Sequence, residues 1–184
     1  MATSGSKSIS VASGLTLKFS WSRSEYSLAN NTSTVSWQMD LIATGTANIV
    51  SSAAKTWSVV VNGTKYGEGK TNTVGIDADS SPKKLASGST VIKHNSDGSK
   101  TFSYSFSQQF GINYGGSTIG TKSGSGTGEL NDLPRASTIV ATNAYIDSNS
   151  TITITRNSSK YKHTLQYKLP GQKEFTTIVS KTAD

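Results

Sequence analysis

The stretch that decides the fold class runs Leu15-Thr16-Leu17-Lys18-Phe19-Ser20-Trp21. Apolar and polar residues alternate strictly in it, which places every apolar side chain on one face of an extended strand. The same period of two recurs at residues 35–41 and 57–61, whereas helical periodicity is never sustained over the length of a helix. The sequence therefore predicts an all-β protein.

Two segments between such strands carry the residue types of tight turns. Asn62-Gly63 separates residues 57–61 from residues 64–66, and this dipeptide favours a two-residue hairpin because both central positions need positive φ. Residues 94–100 connect two further strand patterns, and their Asn, Asp and Gly are typical of turns. About ten short strands joined by such turns predict a β-sandwich, with the jelly roll as the expected arrangement.

Pro134 marks the predicted domain boundary, because proline cannot donate a ladder hydrogen bond and belongs at a strand edge or a boundary. Residues 1–135 are expected to form a jelly-roll-like β-sandwich domain. Residues 136–184 are expected to start a second, Ig-like or similar β domain that is truncated or completed by another chain, since about 50 residues are few for an independent core. Residues 115–128, rich in Gly, Ser and Thr, predict either a loop or a polar edge strand.

Composition limits the classes of function. Only 16% of the 184 residues are charged, against roughly 25% in average proteins, and Ser, Thr, Asn and Gly supply most of the polarity. The absence of cysteine excludes disulfides and thiolate metal sites. The net charge of +7 is scattered, which favours polyanions generally but lacks the dense basic stripe of a nucleic-acid binder. Neither a signal peptide nor a membrane span is indicated, so synthesis in the cytoplasm is expected.

Catalytic chemistry is not indicated by any motif. The sequence has two histidines. His94 begins the turn at residues 94–100, whereas His163 alternates with apolar residues, which favours a half-buried strand position. Neither histidine has a sequence partner for a metal, no segment resembles a nucleophile elbow, and the 11 acidic residues lie mostly in turn-like segments. We therefore expect a protein that is not an enzyme and that has no metal and no cofactor. The expected structural turn motif comprises His94, Asn95, Asp97 and Gly98.

The aromatic residues divide into a core set and a candidate binding set. Three tryptophans share the apolar faces of their strands, which favours burial, and these are Trp21, Trp37 and Trp57. Three tyrosines lie near turns among polar residues, where an exposed ring offers a sugar a flat apolar platform. The predicted glycan platform consists of Tyr26, Tyr66 and Tyr114.

Four segments in a fixed order resemble a known family. They are Asn31-Thr32-Ser33-Thr34-Val35, Leu85-Ala86-Ser87-Gly88, the turn at residues 94–100, and Leu133-Pro134-Arg135-Ala136-Ser137. Together they resemble the minor structural, tail-tip proteins of siphophages that infect streptococci and related Gram-positive bacteria. The resemblance covers most of residues 15–137, and residues 151–167 look like the opening of that family's next domain. Members of that family are usually far longer, and the C-terminal portion that would carry a receptor-binding head is expected to be absent here.

The resemblance implies a virion protein at the tail tip or baseplate, with a role in host attachment and no catalytic residues. Its expected partners are a cell-wall polysaccharide or teichoic-type polymer of the host, other tail proteins, and copies of itself, with a trimer as one arrangement. Nucleic acid is not an expected partner. The alternative is a stand-alone carbohydrate-binding β-sandwich module of a larger surface or hydrolytic protein, and a third hypothesis is a fragment of a phage depolymerase.

Overall fold

The structure, a computed structural model, describes residues 3–135, 138–142, 151–155 and 164–180. Every regular element in those ranges is a β-strand, which confirms the prediction of an all-β protein. The chain divides into two compact units, Met1–Asp132 and Leu133–Asp184. In the described residues, no helix is long and apolar enough to cross a membrane.

Unit 1 is a sandwich of two antiparallel sheets. The first sheet has the order β1-β2-β3-β7, and the second has the order β5-β4-β8-β9 with β6 also paired to β4. The β-sandwich prediction is confirmed. Since β1, β2 and β3 are consecutive neighbours, the first sheet begins as a meander, and the jelly-roll arrangement stays a prediction. The strands are β1 (Ser4–Ala12), β2 (Leu15–Ser27), β3 (Thr32–Ala43), β4 (Ala54–Val61), β5 (Thr64–Tyr66), β6 (Thr71–Thr73), β7 (Lys83–Lys93), β8 (Lys100–Tyr114) and β9 (Ser117–Leu130).

Both predicted turns occur where the sequence places them. Asn62 and Gly63 have φ values of 49° and 81° and join β4 to β5 as a tight hairpin. Residues 94–99 join β7 in the first sheet to β8 in the second. This second connection therefore carries the chain from one layer of the sandwich to the other.

The core lies between the sheets and is dominated by aromatic rings. Phe19 of β2 is fully buried, and its ring centroid lies 4.8 Å from that of Tyr104 and 5.4 Å from that of Phe106, both on β8. The predicted burial of Trp21 and Trp37 is confirmed, and Trp57 is half-buried against the same cluster. The alternating apolar residues at 15–21 thus supply the inward side chains of β2.

Residues 117–130 form β9, so the loop interpretation of this glycine-rich segment is wrong and the edge-strand interpretation is confirmed. Three of its inward positions, Gly124, Gly126 and Gly128, are glycines because aromatic rings from β8 occupy the space that a side chain would need. A Cβ on Gly126, for example, would stand 2.5 Å from the hydroxyl oxygen of Tyr104. The inward Ile119 and Leu130 of the same strand are buried apolar residues. Serine and threonine alternate with these glycines on the outward face.

In unit 2 the described strands form two separate antiparallel pairs. The first pair joins β10 (Thr138–Thr142) to β11 (Thr151–Thr155), and the second joins β12 (Thr164–Tyr167) to β13 (Thr176–Ser180). The Ig-like architecture expected for this unit stays a prediction. His163 lies outside the described residues.

Candidate contact surfaces of the sandwich

The three candidate tyrosines have different environments. Tyr26, near the end of β2, is 57% exposed, and the guanidinium carbon of Arg23 lies 5.2 Å from its ring centroid. Tyr66 is half-buried; its hydroxyl donates to the carbonyl oxygen of Ser89 at 2.9 Å. Tyr114 is also half-buried, and its hydroxyl donates to the carbonyl oxygen of Ser13 at 3.2 Å.

The structure does not bring these tyrosines together. Tyr114 reaches Ser13, two residues before β2 begins, whereas Tyr26 lies at the opposite end of that strand. Eleven residue steps of an extended strand separate the two ends by about 36 Å. Of the three rings, Tyr26 is the one with an exposed aromatic surface, so a platform that uses all three at once is not formed.

The turn after β7 is closed by a hydrogen-bonded set that we name the His94 clasp: Asn31, Ser33, His94, Asp97, Gly98 and Ser99. His94 Nδ1 donates to the carbonyl oxygen of Gly98 at 2.7 Å, and His94 Nε2 shares a 2.8 Å hydrogen bond with the hydroxyl of Ser33. Asn31 Nδ2 donates to the carbonyl oxygen of His94 at 2.9 Å.

The serine–histidine pair of the His94 clasp lies inside the protein rather than on its surface. Ser33 is fully buried and His94 is 4% exposed, so this serine–histidine pair is closed to a polymeric ligand. Asp97 accepts from the backbone N–H and the hydroxyl of Ser99, which holds the tip of the turn. The clasp therefore ties the β2–β3 turn to the β7–β8 connection and acts as a structural element.

Among the residues that the structure describes, two titratable groups have clearly shifted pKa values. The hydroxyl and then the backbone N–H of Ser80 lower the pKa of the exposed Asp77 carboxyl by hydrogen bonding to it. Burial in the core raises the pKa of Tyr104. Within the part of the chain that the structure describes, no group of three or more His, Asp or Glu side chains could hold a metal ion.

A shallow trough of about 830 Å³ lies on the outer face of the first sheet. Strand register aligns polar residues in two rows across all four strands, while the residues between them, including Trp21 and Trp37, point inward. We name this surface the serine trough. One row is Ser4, Ser22, Ser36 and Ser89, and the other is Ser6, Ser20, Gln38 and Ser87.

The outer face of the second sheet is also rich in hydroxyls but is organised differently. Its hydroxyls partly satisfy each other, as in the 2.9 Å hydrogen bond between Ser58 and Ser107. Val60 interrupts the polar surface, and the concavity beside it has only about 370 Å³. The sequence shows the alternating serines on both faces, but not the long-range register that aligns them into rows.

The fold and these surfaces define a class: an antiparallel β-sandwich with hydroxyl-lined outer faces and a packed aromatic core. A protein family described as "Siphovirus protein of unknown function (DUF859)" matches residues 9–183. The chain therefore belongs to this siphovirus protein family. No curated protein and no solved structure matches it significantly. Membership supports a phage structural protein and a virion component.

Proposed function

We propose that this protein is a structural and adhesion module of a siphophage tail, placed at the tail tip or baseplate, which contacts the cell-wall glycan of a Gram-positive host. The observation that carries the proposal is the match to a siphovirus family over residues 9–183. A match of that extent also favours a phage module over a carbohydrate-binding domain of a hydrolytic protein.

The surface chemistry supports a contact role without catalysis. Seven serines and one glutamine form the serine trough, and such polar groups exchange hydrogen bonds with sugar and polyol hydroxyls. The net charge of +7 draws the protein toward the anionic wall polymers of a Gram-positive cell. In this proposal the other partners are neighbouring tail proteins and further copies of the chain, which would multiply weak contacts by avidity.

An adsorption competition tests the proposal. Host cells are incubated with the purified 184-residue chain before phage is added, and unadsorbed phage is counted over time. We expect the chain to slow adsorption in proportion to its concentration, while heat-denatured chain at the same concentration has no effect. Unchanged adsorption at saturating concentrations of the folded chain would argue against a host-contact role.

A further inference from the structure

The hydroxyls of the serine trough are available to a ligand. Among the described residues, the side chains of Ser4, Ser6, Ser20, Ser22, Ser87 and Ser89 make no hydrogen bond to protein. The hydroxyl of Ser36 donates only to Ser24 Oγ, at a long 3.3 Å. A ligand can therefore hydrogen-bond to most of the trough without breaking any bond inside the protein.

The trough is also pre-organised. Its hydroxyls stand on four hydrogen-bonded strands, whose spacing of about 4.8 Å gives a row about 14 Å long across the sheet. On the inner side of the sheet, the buried indoles of Trp21 and Trp37 hold the two central strands, β2 and β3, in place. Because the backbone and short side chains are already ordered, binding loses little conformational entropy.

Positive charge lies along one rim. The next register row places Lys18 of β2 and Lys84 of β7 on either side of Asp40. Neither lysine has an ion-pair partner within 4 Å in the ranges that the structure describes. Asp40 between them is 8% exposed and accepts a 2.7 Å hydrogen bond from Gln38 of the trough, so its carboxylate is largely shielded from solvent.

We propose that the serine trough binds a segment of a polyol-phosphate chain, the chemistry of teichoic-type wall polymers. Chain hydroxyls would exchange hydrogen bonds with the serines, and a phosphodiester would lie beside Lys18 and Lys84. This inference rests on the proposed function and names the ligand class and the surface that recognises it. Single-site binding is weak, since each exposed hydrogen bond contributes little, and several copies in one particle supply avidity.

A protein partner fits this surface less well. The residues that line the trough present hydroxyl and amide groups, and their two tryptophans are 5% and 3% exposed. Protein interfaces usually place aromatic or aliphatic anchors at the centre, and a partner would bury these hydroxyls here without that gain. The outer face of the second sheet is a poorer site for the polyol-phosphate chain, because the hydroxyls of Ser58 and Ser107 already hydrogen-bond to each other.

The test is a nitrogen–proton NMR titration of the full chain with synthetic poly(glycerol phosphate), and with uncharged polyglycerol of equal length. Ser36→Tyr fills the trough from its centre, and a matched control, Ser105→Tyr, places the same bulk on the outer face of the second sheet. Lys18→Gln combined with Lys84→Gln removes the rim charge. The backbone spectra of the variants verify that each one is folded.

We expect shifts at trough amides with poly(glycerol phosphate), an affinity loss of about tenfold or more in Ser36→Tyr, and no loss in Ser105→Tyr. The lysine double variant should bind about threefold or more weakly and lose salt dependence. Equal binding of the uncharged polymer, shifts centred on the second sheet, or unchanged binding of Ser36→Tyr would overturn the inference. Amide chemical shifts at the trough could instead change with protein concentration in the absence of polymer. If Ser36→Tyr abolished those changes, the trough would be an interface between copies of the chain and the inference would fall.

The adsorption assay separates this inference from the proposed function. If wild-type chain and Ser36→Tyr slow adsorption equally, the host-contact role stands and the serine trough is the wrong surface. If wild-type chain binds poly(glycerol phosphate) in the trough but never slows adsorption, the ligand assignment stands and the host-contact role falls.

Discussion

The indole of Trp37 lies directly over Gly88 of the neighbouring strand, so that a Cβ at residue 88 would stand 2.6 Å from Cζ2 of the ring. The same relationship joins Trp21 to Gly5, whose Cβ would stand 2.7 Å from the indole nitrogen. Both glycines lie on edge strands of the first sheet. Large rings on central strands thus complete the core where the edge strands have no side chain.

Gly88→Ala is therefore expected to destabilise the sandwich by about 1–3 kcal/mol, because the added methyl group overpacks the core. Trp37→Phe removes the ring atoms that cover the glycine, so Gly88→Ala should cost less in that background. The free energy of unfolding in urea gives both values. Gly120→Ala is the control: no atom lies within 4 Å of its Cβ position, and a change within about 0.5 kcal/mol is expected. Equal costs at the two glycines would contradict the packing argument.

His94→Ala tests the clasp. The substitution removes the bonds to Gly98 and Ser33 and leaves the fully buried Ser33 hydroxyl without its histidine partner. We expect a loss of about 2–3 kcal/mol in the free energy of unfolding. Ser99→Ala removes only the bonds of the clasp to Asp97 and Asn95 at the tip of the turn, and it should cost less than about 1 kcal/mol. A His94→Ala variant as stable as Ser99→Ala would show that the buried bonds of His94 do not stabilise the fold.

Asn72 and Gln108 form a reciprocal amide pair inside the second sheet. Each side chain donates to the other, at 2.9 Å and 2.8 Å, and Gln108 is fully buried. Because either single substitution leaves a buried amide partly unsatisfied, Asn72→Ala and Gln108→Ala should be non-additive, with a coupling of about 0.5–3 kcal/mol. Urea unfolding of the two single variants and the double variant measures it, and strictly additive costs would refute the pairing.

The Asp77 carboxyl should titrate below its ordinary value of 3.8. Since its pKa is lowered on folding, the stabilisation is present above the unfolded value and is lost as the pH falls through the folded value. A carbon-detected NMR titration should show the low pKa, and Ser80→Ala should raise it toward 3.8 by removing the hydroxyl bond. An Asp77 pKa that is indifferent to this substitution would be the contrary result.

Local patterns predict much of this fold. The alternation at residues 15–21 fixes which side chains face the core, and Asn62-Gly63 fixes a hairpin through positive φ. The strand β9 is harder to predict, because its inward glycines give no apolar alternation. The apolar material there comes from rings on β8, which only the pairing of the two strands reveals.

The contact surfaces are also hard to predict, because they depend on contacts between residues that are distant in the sequence. Nearby turns indicate exposure for Tyr66 and Tyr114, but their hydroxyls reach carbonyl groups 23 and 101 residues away in the sequence. The serine trough depends on the register of β1, β2, β3 and β7, and β7 follows β3 only after three strands of the other sheet. Such alignments are set by tertiary pairing rather than by any local pattern.

The most direct test of the central claim is an electron cryo-microscopy map of the intact phage. Our account predicts density for the two-sheet sandwich at the distal end of the tail, with the outer face of the first sheet turned toward the host. A particle that lacks this chain, or that carries it with the serine trough buried against another virion protein, would contradict the account.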